Sequence, residues 1–115
     1  MSKPLTPRTH GVLDYAVVAV FALAPTVFGL TGLAATLAYA LAGVHLAMTL
    51  LTAFPLGVAR VIPFPLHGKV ELAVGIALPA LALALFRDAD APFWFYLAMG
   101  MAILLTWTAT DYRAA

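Results

Sequence analysis

Four apolar stretches of about 20 residues dominate this chain and leave little choice of fold. They run from about His10 to Leu30, Leu33 to Phe54, His67 to Phe86 and Pro92 to Thr110. About 20 such residues, wound as helix, cross a hydrocarbon layer about 30 Å thick. The breaks between them carry turn chemistry. Gly29, Thr31 and Gly32 form the first, Pro55, Gly57, Pro63 and Pro65 the second, and Arg87 to Pro92 the third. Short breaks make spans one and two, and spans three and four, antiparallel neighbours. A membrane β-barrel would need stretches of about ten residues alternating apolar and polar. These runs are continuously apolar and rich in Ala and Leu, both helix formers. The fold expected is an all-α, single-domain, four-helix membrane bundle.

Composition closes off the other classes. Of 115 residues, 64% are hydrophobic and 10% charged, against roughly 45–50% and 25% in soluble domains. A soluble fold of this size cannot hide that apolar excess, and disorder requires the opposite balance. With no cysteine, disulfides, thiolate metal sites and cysteine nucleophiles are absent. A net charge of +1 offers no extended basic surface for nucleic acid. The sequence has no phosphate-binding loop, no Rossmann glycine pattern and no HExxH pair. Ser2 is its one serine, so no serine-hydrolase elbow exists.

Lys3 and Arg8 before an apolar run, with Ala22-Leu23-Ala24 within it, imitate a signal peptide. Pro25 after the cut and Asp14 inside the run argue that the segment is retained. Lys3, Arg8, Arg60, Lys69 and Arg113 fall on one side of a four-span topology, and only Arg87 on the other. Both termini and the central loop are therefore expected in the cytoplasm. That loop, Pro55 to Leu66, is apolar and is expected at the membrane interface.

A shift of 57 residues, the distance from His10 to His67, lays the chain over itself. His10-Gly11 meets His67-Gly68, and Asp14 meets Glu71. Tyr39 meets Tyr96, Gly43 meets Gly100 and Thr49 meets Thr106. The expectation is two duplicated hairpins, residues 1–57 and 58–115, related by a pseudo-two-fold along the membrane normal. The run His10-Gly11-Val12-Leu13-Asp14-Tyr15 followed by Ala24-Pro25-Thr26-Val27-Phe28-Gly29 resembles the small bacterial membrane proteins of the SPW-repeat type. Ala24-Pro25-Thr26 stands where that family carries Ser-Pro-Trp, and the second half lacks the motif. The resemblance implies a two-helix unit and a bacterial inner membrane, and it implies no activity.

Ionisable groups inside spans are costly and are functional candidates by default. Asp14, His45 and Glu71 lie within the spans, with His10 and His67 nearer the interface. Each His precedes its acid by four residues, which puts the pair on one helix face. In one account these residues are staples: acids near the first helical turn, and cross-pairs His10–Glu71 and His67–Asp14 locking the hairpins together. In a second, His10, Asp14, His67 and Glu71 hold a divalent metal such as Zn²⁺, Mn²⁺ or Fe²⁺. In a third, Asp14, His45 and Glu71 bind a small ligand or relay protons in a small transporter. Two facing imidazoles holding a haem are a fourth. The staple account comes first, because buried charges need partners before they need ligands. On it the chain is a structural or accessory membrane protein, self-associating or docked in a larger membrane complex.

His45 has no counterpart, since position 102 is Ala. Ala34, Ala38 and Ala42 form a small-residue stripe, and Gly43 and Gly100 are further positions for close helix packing. Pro25 and Pro79 are expected to kink or end their helices. Phe93 to Tyr96 read as an outer aromatic belt, with Tyr15, Trp107 and Tyr112 on the inner side. The threonines either line a path or bond their own helix carbonyls.

Overall fold

The computed structural model describes residues 3–114. Four helices account for most of them: α1 (Pro7–Val27), α2 (Gly32–Leu51), α3 (Phe64–Leu85) and α4 (Asp90–Ala109). Each is long and apolar enough to cross a membrane. At 1.5 Å per residue the 21 residues of α1 reach about 31 Å, one hydrocarbon thickness.

Local chemistry explains the helix limits. Thr6 caps α1 by accepting the Thr9 N–H at 3.2 Å, and Pro7 supplies a preset first turn. α1 ends two residues after Pro25, and Gly29, at φ 66°, takes the left-handed turn that leads to α2. Pro79, by contrast, lies inside α3, which continues to Leu85. Its ring packs on α4 where Gly100 leaves room.

Two expectations shift. α1 and α3 begin three residues before His10 and His67. Asp14 and Glu71 therefore lie in the third turn, beyond the reach of the helix dipole, and no acid occupies the first turn of either helix. The central connection is also more ordered than a bare loop. After α2 the chain extends as β1 (Thr52–Ala53), which pairs in parallel with β2 (Ile62–Pro63). Leu5 and Thr110 make a similar parallel bridge at the other pair of helix ends.

Most packing lies within the hairpins, α1 on α2 and α3 on α4. Away from the loop end, the core is apolar: Phe21, Ala24, Leu78, Ala82, Phe95 and Tyr96 fill it. The Tyr96 hydroxyl donates to the Ala34 carbonyl at 2.6 Å. Ala34, Ala38 and Ala42 are buried, as a close-packing stripe requires. Gly43 lies on the outer surface with open space where a Cβ would stand, so it seats no helix of this chain. Large apolar side chains such as Val12, Leu23, Val27 and Leu105 cover the outside, which suits lipid and not water.

Candidate metal centre

At the end of the bundle where α1 and α3 begin, four ionisable residues meet. His10 and Asp14 come from α1, His67 and Glu71 from α3. All four are buried, both imidazoles fully so. The four-residue spacing turns each pair inward, and the approach of α1 to α3 brings the pairs together. His10 Nε2 lies 3.2 Å from Asp14 Oδ1 and 3.0 Å from Glu71 Oε2. His67 Nε2 lies 3.1 Å from Asp14 Oδ2 and 3.5 Å from Glu71 Oε1. One ligand atom from each residue can be chosen so that all four fall within 4.8 Å of one another.

The far nitrogens decide the tautomer. His10 Nδ1 is 2.8 Å from the Thr110 hydroxyl, and His67 Nδ1 is 2.7 Å from the Thr52 hydroxyl. Each threonine donates its own proton to the carbonyl one turn back, Thr110 to Thr106 and Thr52 to Met48. A hydroxyl that has given its single proton can only accept. Both Nδ1 atoms therefore carry hydrogen, and the Nε2 atoms face the carboxylates. The ring directions matter as much as the distances. Neither Nε2 aims at a carboxylate oxygen well enough to form a hydrogen bond, and Asp14 Oδ2 is likewise unpartnered. Each Nε2 lies within 3.5 Å of an oxygen from both acids.

The site is roofed on the loop side. Phe54 and Phe64 stack at 5.4 Å, Phe64 meets Tyr112 at 4.8 Å, and Phe64 and Tyr112 both stand edge-on to His10. Gly11 and Gly68, each next to its histidine, make this closure possible. A Cβ on Gly11 would lie 2.8 Å from Leu56, and one on Gly68 would lie 2.9 Å from Tyr112. The Tyr15 hydroxyl holds the Leu56 carbonyl at 2.9 Å. The Tyr112 hydroxyl donates to Glu71 Oε2 at 2.6 Å. Burial and the adjacent Glu71 carboxylate push the Tyr112 phenol up, so it stays a donor.

His45 enters from α2, 3.4 Å from Asp14 Oδ1, with its Nε2 buried and unpartnered. It stands beside the four and lacks the threonine support that His10 and His67 have. Thr36, Thr49, Thr106 and Thr108 bond carbonyls of their own helices.

Sequence reasoning found all five ionisable residues. It did not find Thr52 and Thr110 as histidine partners, nor Phe54, Phe64 and Tyr112 as a roof. The threonines stand one residue out of the register that relates His10 to His67, so an ungapped comparison passes over them. The usable signal was a threonine at the end of each even-numbered span.

Comparison with known protein families, with curated proteins and with solved structures finds no match to this chain.

Proposed function

We propose that this chain is a metal-binding integral membrane protein. It holds one divalent transition ion between His10, Asp14, His67 and Glu71. The observation that carries the reading is the placing of the two Nε2 atoms, each beside both carboxylates and without a hydrogen-bond partner, while Thr110 and Thr52 hold the Nδ1 atoms. Protonated staples would direct an N–H at an oxygen. Metal ligands direct lone pairs at a common point, with the other ring nitrogen donating to an outer partner.

The spacing fits an ion. Bonds of about 2.0–2.1 Å place neighbouring ligands of a tetrahedron about 3.3 Å apart. The four nitrogen–oxygen separations, 3.0 to 3.5 Å, use both oxygens of each acid, and with one atom from each residue all four lie within 4.8 Å of one another, near enough to draw in on one ion. Imidazole with carboxylate suits Zn²⁺, Mn²⁺ and Fe²⁺. The His10 and His67 ring centres stand only 5.3 Å apart with both acids beside their Nε2 atoms, which disfavours haem between them.

The test is metal content after purification in mild detergent, with reloading by Zn²⁺, Mn²⁺ or Fe²⁺. One ion per chain is expected, and none in a His10→Ala/His67→Ala double variant. If the wild type stays metal-free and the double variant is only less stable, the residues are staples. The cross-pairs at 3.0 and 3.1 Å favour that second reading. The paired bridges Leu5–Thr110 and Ile62–Thr52 and the paired histidine–threonine contacts support reading the halves as copies of one hairpin. Kinship with the SPW-repeat proteins would follow from that origin. With the basic residues facing the cytoplasm, the ion would sit in the cytoplasmic half of the membrane. Self-association or membership of a larger complex belongs to the same proposal, since four helices make a thin bundle.

A further inference from the structure

Among the described residues, a cavity of about 30 Å³ reaches the site from the side, between α2 and α3. One water-sized molecule needs about 10–15 Å³ of such space, so the cavity takes one or two, or a single diatomic molecule. Its walls include Val44 on α2 and Val70 and Val74 on α3, and its polar surface includes His45, His67 and Glu71. Val44 is 60% exposed on the outer, apolar face of the bundle, so the mouth opens toward lipid. The loop side is closed by the aromatic roof. A charged species has no route through apolar walls, whereas a small neutral molecule dissolves in the bilayer and enters directly.

The polar end of the cavity is unsatisfied. His67 Nε2 and His45 Nε2 are both buried without a hydrogen-bond partner. The metal reading occupies the first of these. It leaves the second, on the one histidine that no threonine holds.

Resting on that metal reading, we propose that the α2–α3 cavity is an open ligand position of the metal centre. It admits a neutral diatomic molecule from the bilayer, and His45 is the positioning residue that hydrogen-bonds the bound molecule. The duplicated position on α4 is Ala102, so only the α2–α3 seam carries this group.

The experiment uses the full chain in detergent, loaded with Fe²⁺ without oxygen, and nitric oxide as the probe. Iron content is measured first, then the iron–nitrosyl signal by electron paramagnetic resonance. The wild type is expected to bind iron and form the nitrosyl. Val74→Phe, which fills the cavity, is expected to keep its iron and lose the nitrosyl at least tenfold. Val44→Phe, on the lipid-facing mouth where folding tolerates it, is expected to slow nitrosyl formation in the same direction. His45→Leu is expected to keep iron and weaken nitric oxide about fivefold, the equivalent of one neutral hydrogen bond. Iron without a nitrosyl overturns the open position and leaves a closed metal site. Nitrosyl formation unchanged in both phenylalanine variants overturns the lateral route. Unchanged affinity in His45→Leu overturns the role of His45. Absence of iron overturns the metal reading itself and the open position with it.

Discussion

Thr52→Val is the sharpest test of how the site is held. Valine keeps the shape of threonine and removes one hydroxyl. In the wild type that hydroxyl accepts from His67 Nδ1 at 2.7 Å and donates to the Met48 carbonyl at 2.5 Å. In the variant the Nδ1 hydrogen has no partner, in a place sealed by Phe54 and Phe64. Leaving a buried donor unpaired costs about 1–3 kcal/mol. The ring escapes part of that cost by moving its hydrogen to Nε2, which removes the lone pair the ion needs. Either way the loss falls on the metal-bound state. At 1.4 kcal/mol per decade, affinity should fall about 5- to 140-fold, a range that contains the 10- to 100-fold typical of outer-shell partners. The assay is competition for Zn²⁺ against a chelator of known affinity, in detergent. Thr52→Ser restores the hydroxyl and should recover most of the loss. Thr110→Val should act alike through His10, because the two contacts differ by only 0.1 Å. Thr52→Val binding Zn²⁺ within twofold of the wild type would refute the account of the tautomer.

Two further predictions concern the frame around the site. The Tyr112 phenol is pushed above its ordinary value of about 10 by burial and by Glu71. A raised value means that the bond to Glu71 stabilises the fold fully below pH about 10 and fades as pH rises beyond it. Tyr112→Phe should therefore be less stable than the wild type at neutral pH, and the gap should narrow in alkaline unfolding curves; a constant gap would count against the hydrogen bond as its cause. Gly100→Ala should lower the thermal midpoint, because its Cβ would lie 2.2 Å from the rigid ring of Pro79, an overpacking worth about 1–3 kcal/mol. Gly43→Ala, facing open space, should not lower it, and equal losses in the two variants would contradict the packing described here.

The four spans were legible because lipid imposes length and apolarity on every helix that crosses it. The helix starts were less so. His10 and His67 look like the first residues of their spans, yet Thr6 with Pro7, and Pro63 with Phe64 and Pro65, start each helix a turn earlier. Prolines at a helix start mimic loop composition, and this moved Asp14 and Glu71 from the dipole into the interior. The convergence of the four residues was half legible. Spacing places His10 with Asp14 and His67 with Glu71 on single faces. It does not say that α1 meets α3, because that contact depends on the crossing of two hairpins. The roof was hidden for a different reason. Gly11 and Gly68 read as turn or packing signals, while their use is to admit Leu56 and Tyr112, residues distant in sequence.

Charge explains why such a cluster persists in lipid. Two buried carboxylates bring two negative charges into a medium where each alone costs several kcal/mol. Imidazoles that stay neutral cancel none of it, whereas imidazolium at both His10 and His67 would cancel it as internal staples. On the proposed metal reading a divalent cation would cancel both charges, beside the unpartnered His10 Nε2, Asp14 Oδ2 and His67 Nε2. The apolar remainder of the core makes the same choice clear from the other side. Phe21, Leu78 and Phe95 close the bundle beyond the site, so its charges have no aqueous path along the axis to screen them. Within the site, α1 and α3 each contribute one imidazole and one carboxylate. A site with half its ligands on each hairpin cannot form until both are in place. On the proposed metal reading, ion binding and hairpin docking would for that reason be coupled, and the cost of burying the acids would be offset where the two hairpins join.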